Sequence, residues 1–498
     1  MFKDEQRYDV WEQIRQQDLR AFARLLPNAL FRQAAEQAGV SLGRSALAIP
    51  NLVWLGVLSA VHSTKCFADV LSLTVRTLDL SANGLPAPVA KARHNARRRK
   101  PRGSRHSPHG HDPAAVSEEA FAQARKRMPA LFWTALIGLL TEQFEAEHAR
   151  LVHWKQFRLL ALDGTTLRLP QWQRLRDYFG VAKNGKSKGT VQARMVMLQF
   201  PLVRLPWRYE LCPIDEGERT IATRLLRDLR QNDLVLMDQG FWSYGLFHQC
   251  AQQGAFFGIR LHPQARPHTL RRLGKKDRLV RWSKPTGPRW RGAEWPASQK
   301  LRIIDYHIKG FRPSAIVTNV LNPRKISREE WVRMATESEP GRPLDRRMRL
   351  RVGLYHRRWE IETTFHELKV TQGLQRSLRS RTPESIHYEV AGHVVLSLLV
   401  RWLMVEAAGR AAPDGDPLGL SFKHALEELL TAWSALVTSE PSDVTRRILP
   451  RLLKAISSHT VSWRPGRTYP RKKKSKSKRR RRNKPETTKN LQKNIAQA

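Results

Sequence analysis

Three carboxylates lie where apolar stretches of the chain give way to polar ones. The run Phe157-Arg158-Leu159-Leu160-Ala161-Leu162 leads into Asp163-Gly164, and Leu234-Val235-Leu236-Met237 leads into Asp238-Gln239-Gly240. Each reads as a hydrophobic strand that ends in an acid and a turn. The third acid, Glu362, lies in Tyr355–Lys369, which reads as a helix. At about 100° per residue, Tyr355, Arg358, Glu362 and Lys369 share an arc of roughly 60°. Beside them Leu354, Ile361, Phe365 and Leu368 form an apolar stripe that would hold the helix on a core. If the two strands are neighbours and the helix packs across them, three oxygen-donor groups meet. Such a set suits Mg²⁺ or Mn²⁺, and two ions roughly 4 Å apart can activate the attacking oxygen and stabilise the leaving oxygen of a phosphoryl transfer. Taken singly, each acid has a plainer explanation. A strand-end Asp caps a turn, and Arg358 with Glu362 makes a surface pair contributing a few tenths of a kcal/mol.

Composition says what such a site would act on. The chain has 498 residues and a formal charge of +44, from 88 Lys+Arg against 44 Asp+Glu. That surplus points to a polyanion, with nucleic acid ahead of an anionic membrane; neither an amphipathic basic helix nor a lipidation signal is evident. The three cysteines, Cys66, Cys212 and Cys250, include no Cys-x-x-Cys, which argues against a disulfide framework or a zinc ribbon. The N-terminus lacks the apolar core of a signal peptide, and the most apolar run, Val394 to Val405, is interrupted by Arg401. The expectation is an intracellular protein without membrane spans.

The elements that must position the acids follow in order. Residues 1–85 read as a helical domain, either a DNA-end-binding module or a scaffold bundle, and 86–116 as a basic Pro/Gly/Arg linker. From 117 to 261 helices give way to a β-β-β-α-β-α-β order, which predicts an antiparallel meander within a mixed sheet. Residues 262–312 read as a β-rich insertion containing Trp282, Trp290 and Trp295, and 313–408 return to the first pattern and carry the Glu362 helix. A helical region, 409–463, and a disordered polybasic tail, 464–498, complete the chain.

The chain resembles the bacterial DDE transposases of the insertion-sequence-four family. The resemblance rests on Asp163-Gly164-Thr165-Thr166, on Asp238-Gln239-Gly240-Phe241, and above all on Tyr355, Arg358, Glu362 and Lys369, which match the family's Tyr, two residues, Arg, three residues, Glu, six residues, Lys. It covers about residues 117 to 405. It implies an α/β fold: a ribonuclease-H-like mixed sheet with helices on both faces and a β insertion. It implies that Asp163, Asp238 and Glu362 bind two Mg²⁺ ions, with Mn²⁺ able to substitute, and that Tyr355, Arg358 and Lys369 hold DNA phosphates. Family chemistry would be 3′-end hydrolysis, hairpin formation and opening, then strand transfer into target DNA. An insertion Trp would stabilise a flipped base; the candidates are Trp290, Trp295 and Trp282, with Trp242 outside the insertion, and the sequence does not choose among them. Lys183, Lys186 and Lys188 form a loop that would touch the DNA backbone, or else a plain exposed turn. The implied partners are transposon ends with terminal inverted repeats, target DNA and a second copy of the chain, in the bacterial cytoplasm at the nucleoid. The alternatives are a domesticated DNA-binding protein and a structure-selective nuclease of the same fold.

Overall fold

Strand β1 (Phe157–Arg168) lies at the centre of the arrangement that positions the acids. The computed structural model describes residues 26–70, 118–182, 189–287, 292–307, 313–336 and 358–461, apart from a few positions inside these stretches. The other strands are β2 (Thr190–Phe200), β3 (Leu205–Pro213), β4 (Asp233–Met237), β5 (Phe256–Arg260), β6 (His268–Gly274), β7 (Asp277–Ser283), β8 (Ser298–Tyr306) and β9 (Ser314–Thr318). With two short strands, His153–Trp154 and Val181–Ala182, they form one mixed sheet. The expected meander is present: β1 pairs antiparallel with β2, and β2 with β3. On the other side of β1, β4 and then β5 run parallel to it.

All five residues of β4 are buried, as expected of a strand covered on both faces. Buried Asp233 at its start is neutralised by Arg158 on β1, whose Nε and Nη2 donate to its two carboxylate oxygens at 2.7 and 2.8 Å. Alternation sorts the side chains. Leu160, Leu162, Val235 and Met237 enter a large helical core, while Leu159, Leu234 and Leu236 enter a smaller core with Ile304, Ile316 and Trp331.

The helices are α1 (Asn28–Gln37), α2 (Ile49–Val61), α3 (Glu118–Lys126), α4 (Ala130–Glu147), α5 (Gln173–Phe179), α6 (Glu218–Leu225), α7 (Tyr244–Gln252), α8 (Arg328–Thr336), α9 (Glu360–His366), α10 (Leu374–Ser377), α11 (Pro383–Ala411), α12 (Phe422–Thr438) and α13 (Leu449–Ser458), with one further helical turn, Ala149–Val152, directly after α4. Apolar on every side, α11 is the spine of the large core. It starts at Thr382, whose side chain accepts from the Ser385 N–H, with Pro383 in the first turn. By length and composition it could cross a membrane, yet 94% of its apolar window is buried inside the fold.

Three expectations about layout need revision. The N-terminal helices α1 and α2 share the core of the sheet domain instead of standing apart from it: Val53 and Leu52 belong to the same cluster as Leu162 and Val395. At the α2–α11 crossing, a Cβ on Gly392 would lie 2.5 Å from the Gly56 carbonyl oxygen, so the two backbones touch there. Tyr388 Oη closes the crossing by donating to the Leu52 carbonyl at 2.5 Å. The insertion strands are likewise not a separate unit. Because β9 returns antiparallel to β5, its free edge accepts β8, followed by β7 and β6, and the sheet simply continues. Finally, β1 does not end at Asp163 but runs on to Arg168, with Asp163 opposite Met197 of β2. The Gly164-Thr165-Thr166 segment is read more naturally as a turn, but β2 is long enough to keep pairing with it.

Candidate active site

The parallel register pairs Leu162 with Met237, so the next residue on each strand, Asp163 and Asp238, stand side by side. By alternation both point to the face of Leu159 and Leu236. Asp163 Oδ1 accepts from the Gly164 N–H at 2.8 Å, and Asp238 Oδ2 accepts from the Gly240 N–H at 3.4 Å, so Asp238 also caps the turn that follows it. A Cβ on Gly164 would lie 2.9 Å from the Glu218 carboxyl group, the movable end of a partly exposed side chain.

Helix α9 brings the third acid. Ile361, Phe365 and Leu368 are buried as expected, which seats the helix and turns Glu362 toward the aspartates. A cleft of about 380 Å³ is lined by Asp163, Gly164, Thr165, Asp238, Glu362, Phe365, His366 and Lys369. After His366 the helix loosens into a π turn, Glu367–Thr371, closed by Gln372 N–H donating to the Glu367 carbonyl at 2.8 Å. This turn carries Lys369, whose ammonium donates to Thr165 Oγ1 on β1. Burial pulls the Lys369 pKa below its ordinary value.

Arg358 is buried between the aspartates, with Nη1 3.5 Å from Asp163 Oδ2 and Nη2 3.5 Å from Asp238 Oδ1. The family resemblance gives this side chain a phosphate of DNA to hold; in this conformation it is the counter-cation of the two strand acids, since a guanidinium spans two carboxylates that would otherwise repel. Burial is the main cause that pushes the Asp163 pKa up to about 6; the charges of Asp238 and Glu362 push the same way, and Arg358 opposes them. Three oxygen-donor groups facing one cleft, with one acid destabilised by burial and like charge, are a donor set that fits a hard divalent cation. Among the described residues no three acidic, imidazole or thiol groups are drawn together closely enough to form a finished metal site in this conformation.

Behind α9 lies a charge network that sequence reasoning did not assign. Arg204, in the β2–β3 turn, donates from Nε to Glu360 at 2.6 Å and from Nη1 to Glu367 at 3.1 Å. Fully buried Arg401 of α11 donates to the other Glu367 oxygen. The signal was present, because a charge within an otherwise apolar run, as at Arg401, demands a buried partner. His393, also on α11, bridges Ser377 Oγ at 3.0 Å and Gln372 Oε1 at 3.2 Å, bracing the end of the π turn.

Of the other expected DNA contacts, Trp295 is half-buried, its ring 5.5 Å from that of Tyr244 and packed on Gly245, where a Cβ would lie 2.6 Å from the indole. Trp242 and Trp282 pack on each other at 4.9 Å. Tyr355, Trp290, Lys183, Lys186 and Lys188, the linker 86–116 and the tail 464–498 lie outside the described residues.

A family model described as the transposase DDE domain matches residues 154–399, a span that begins just before β1 and ends within α11. The chain is 26% identical over 302 residues to the transposase InsG for insertion sequence element IS4 of Escherichia coli K12, covering 59% of this chain and 62% of that one. It is 27% identical over 143 residues to InsZ of the same organism, 28% of this chain and 47% of that one. The chain therefore spans about half to three fifths of the length of these curated relatives. A piggyBac transposase, solved by cryo-EM in a synaptic complex with hairpin DNA, aligns over 89% of this chain and 85% of its own with 10% identity and a TM-score of 0.36, too distant to carry an argument. The matched span holds all three acids and the complete Tyr-Arg-Glu-Lys spacing, and residues 154–399 belong to the transposase DDE domain family, with InsG of the insertion sequence element IS4 among their relatives.

Proposed function

We propose that the chain cuts and rejoins DNA as the transposase of a cut-and-paste insertion sequence. The observation that carries this reading is the Leu162–Met237 register, which sets Asp163 beside Asp238 in a cleft that Glu362 also lines. The strand order β3-β2-β1-β4-β5, antiparallel on one side of β1 and parallel on the other, supports a ribonuclease-H-like sheet.

Asp163, Asp238 and Glu362 would hold two divalent ions, Mg²⁺ or Mn²⁺. When bound, such ions supply Lewis-acid activation of the attacking oxygen and charge stabilisation at the leaving oxygen. The chain's own groups do the rest. Lys369, held on Thr165 at the rim of the cleft, offers an ammonium to a non-bridging phosphate oxygen. Arg358 surrenders its place between the aspartates and turns its planar fork to phosphate, the role the sequence reading gives it alongside Tyr355. The surplus positive charge, including residues 464–498, adds salt-sensitive affinity for any duplex. The substrates are element ends with terminal inverted repeats and then target DNA, held by two copies of the chain at the bacterial nucleoid.

The test uses DNA flanking the gene, labelled at the element's ends. The expected products with Mg²⁺ are a nick that frees a 3′-OH at the end, followed by a hairpin that migrates as a single strand of doubled length on a denaturing gel. Cleavage of branched DNA irrespective of these ends would make the chain a structure-selective nuclease instead. Binding without cleavage would make it a DNA-binding protein only.

A further inference from the structure

Most arginines built into the fold have carboxylate partners: Arg158 with Asp233, Arg204 with Glu360, Arg302 with Asp277, Arg401 with Glu367. A group near the far end of β1 does not. Trp172, which precedes α5, is 44% exposed, and the guanidinium of Arg381, itself exposed, lies 4.4 Å over its ring. Arg176 follows Trp172 by one helical turn and shares its side of α5. Arg376 is exposed on α10, and α10 is tied to the end of β1 by Gln375 Nε2, which donates to the Arg168 carbonyl at 3.3 Å. Among the described residues no carboxylate pairs with Arg168, Arg176, Arg376 or Arg381. The nearest acid on α5, Asp177, is engaged by Gln173.

An exposed indole gains nothing for stability, and a cluster of arginines without counter-charges costs some through mutual repulsion. Together they match a polyanion with flat, stackable faces. Position adds to the match. β1 emerges toward solvent from Asp163 outward, ending in exposed Arg168. Five residues of strand span about 17 Å, the length of about five base pairs of duplex.

We propose that Trp172 and Arg381, with Arg168, Arg176 and Arg376 around them, form a second DNA-contact surface that holds the duplex about five base pairs from the phosphate cut at the carboxylates. The inference rests on the reading of the chain as a DNA-cutting transposase. The arginines meet phosphates, and the free face of the indole lies against a sugar or base. An acidic protein surface is the competing occupant.

The test is anisotropy with the full chain and a labelled random-sequence duplex of about 30 base pairs across a salt series, together with melting curves. The double variant Arg376→Ala/Arg381→Ala should melt like the wild type, lose about two units of salt slope at roughly 0.9 per contact, and bind about tenfold more weakly. Trp172→Ala should weaken binding roughly fivefold or more, and Trp172→Phe should restore most of it. The pair Lys423→Ala/Arg447→Ala removes the same formal charge from ion-paired sites on α12 and just beyond it, and should stay within about twofold. An equal loss in that control, or wild-type binding by Arg376→Ala/Arg381→Ala, overturns the surface while leaving the transposase reading intact. A wild-type chain with no affinity for the duplex overturns both.

Discussion

Arg358 Nη1 lies 3.5 Å from Asp163 Oδ2, joining the helical signature to the first strand acid across 195 residues of sequence. With Nη2 equally close to Asp238, one guanidinium serves both aspartates. Arg358→Lys keeps the charge but cannot span the pair or grip phosphate with a fork. Its cleavage rate should fall by about tenfold or more, a transition-state loss of about 1.4 kcal/mol, with a melting temperature closer to wild type than that of Arg358→Ala. Rate and melting measurements on the two variants check this. Arg358→Lys with wild-type cleavage and end binding would reduce the contact to a structural ion pair.

The network behind α9 should behave as a unit. Arg401→Met leaves Glu367 buried beside Arg204 alone and should destabilise the fold by about 3–5 kcal/mol. Adding Glu367→Gln should recover part of that loss. Denaturant unfolding of both single variants and the double gives the coupling energy; simple additivity would dissolve the network.

His393 makes stability depend on pH. Burial, and then the Arg379 charge, lower its pKa to about 3, against 6.5 for the free side chain. The folded chain keeps the ring neutral while the unfolded chain protonates it below about 6.5. Its contribution is therefore complete above pH about 6.5 and is lost as pH falls toward 3, at up to about 1.4 kcal/mol per unit. Unfolding of wild type and His393→Gln between pH 7 and about 4 should diverge by that slope; parallel curves would contradict it.

At the α2–α11 crossing, Gly392→Ala pushes a methyl group into the Gly56 carbonyl. Helices in backbone contact cannot absorb it locally, so a loss of about 1–3 kcal/mol is expected. Calorimetry would show it as a lower melting temperature, with the far-ultraviolet circular dichroism of the folded chain unchanged.

The acids were legible because their signals are local: an apolar run before each aspartate and a helical spacing around Glu362. Their convergence was not, since it depends on β4 pairing parallel to β1 with Leu162 opposite Met237. The position of the Arg358 guanidinium between the aspartates is hidden from the sequence for a related reason. Helical phase sets a side chain's face but says nothing about the carboxylates waiting across a sheet. Thr165 has no role visible in its motif alone, because only the π turn at Glu367–Thr371 brings Lys369 to it. The insertion looks separate in the sequence because composition marks where a pattern changes, whereas hydrogen bonding to the β9 edge decides where the strands go.

The proposed chemistry requires Asp163, Asp238 and Glu362 to act together on DNA through divalent ions. The most direct measurement is Mg²⁺-dependent cleavage of the labelled element ends by wild type, Asp163→Asn, Asp238→Asn and Glu362→Gln, with end binding measured in parallel. Each substitution should abolish cleavage while binding persists. Cleavage at the wild-type rate in all three variants would contradict it.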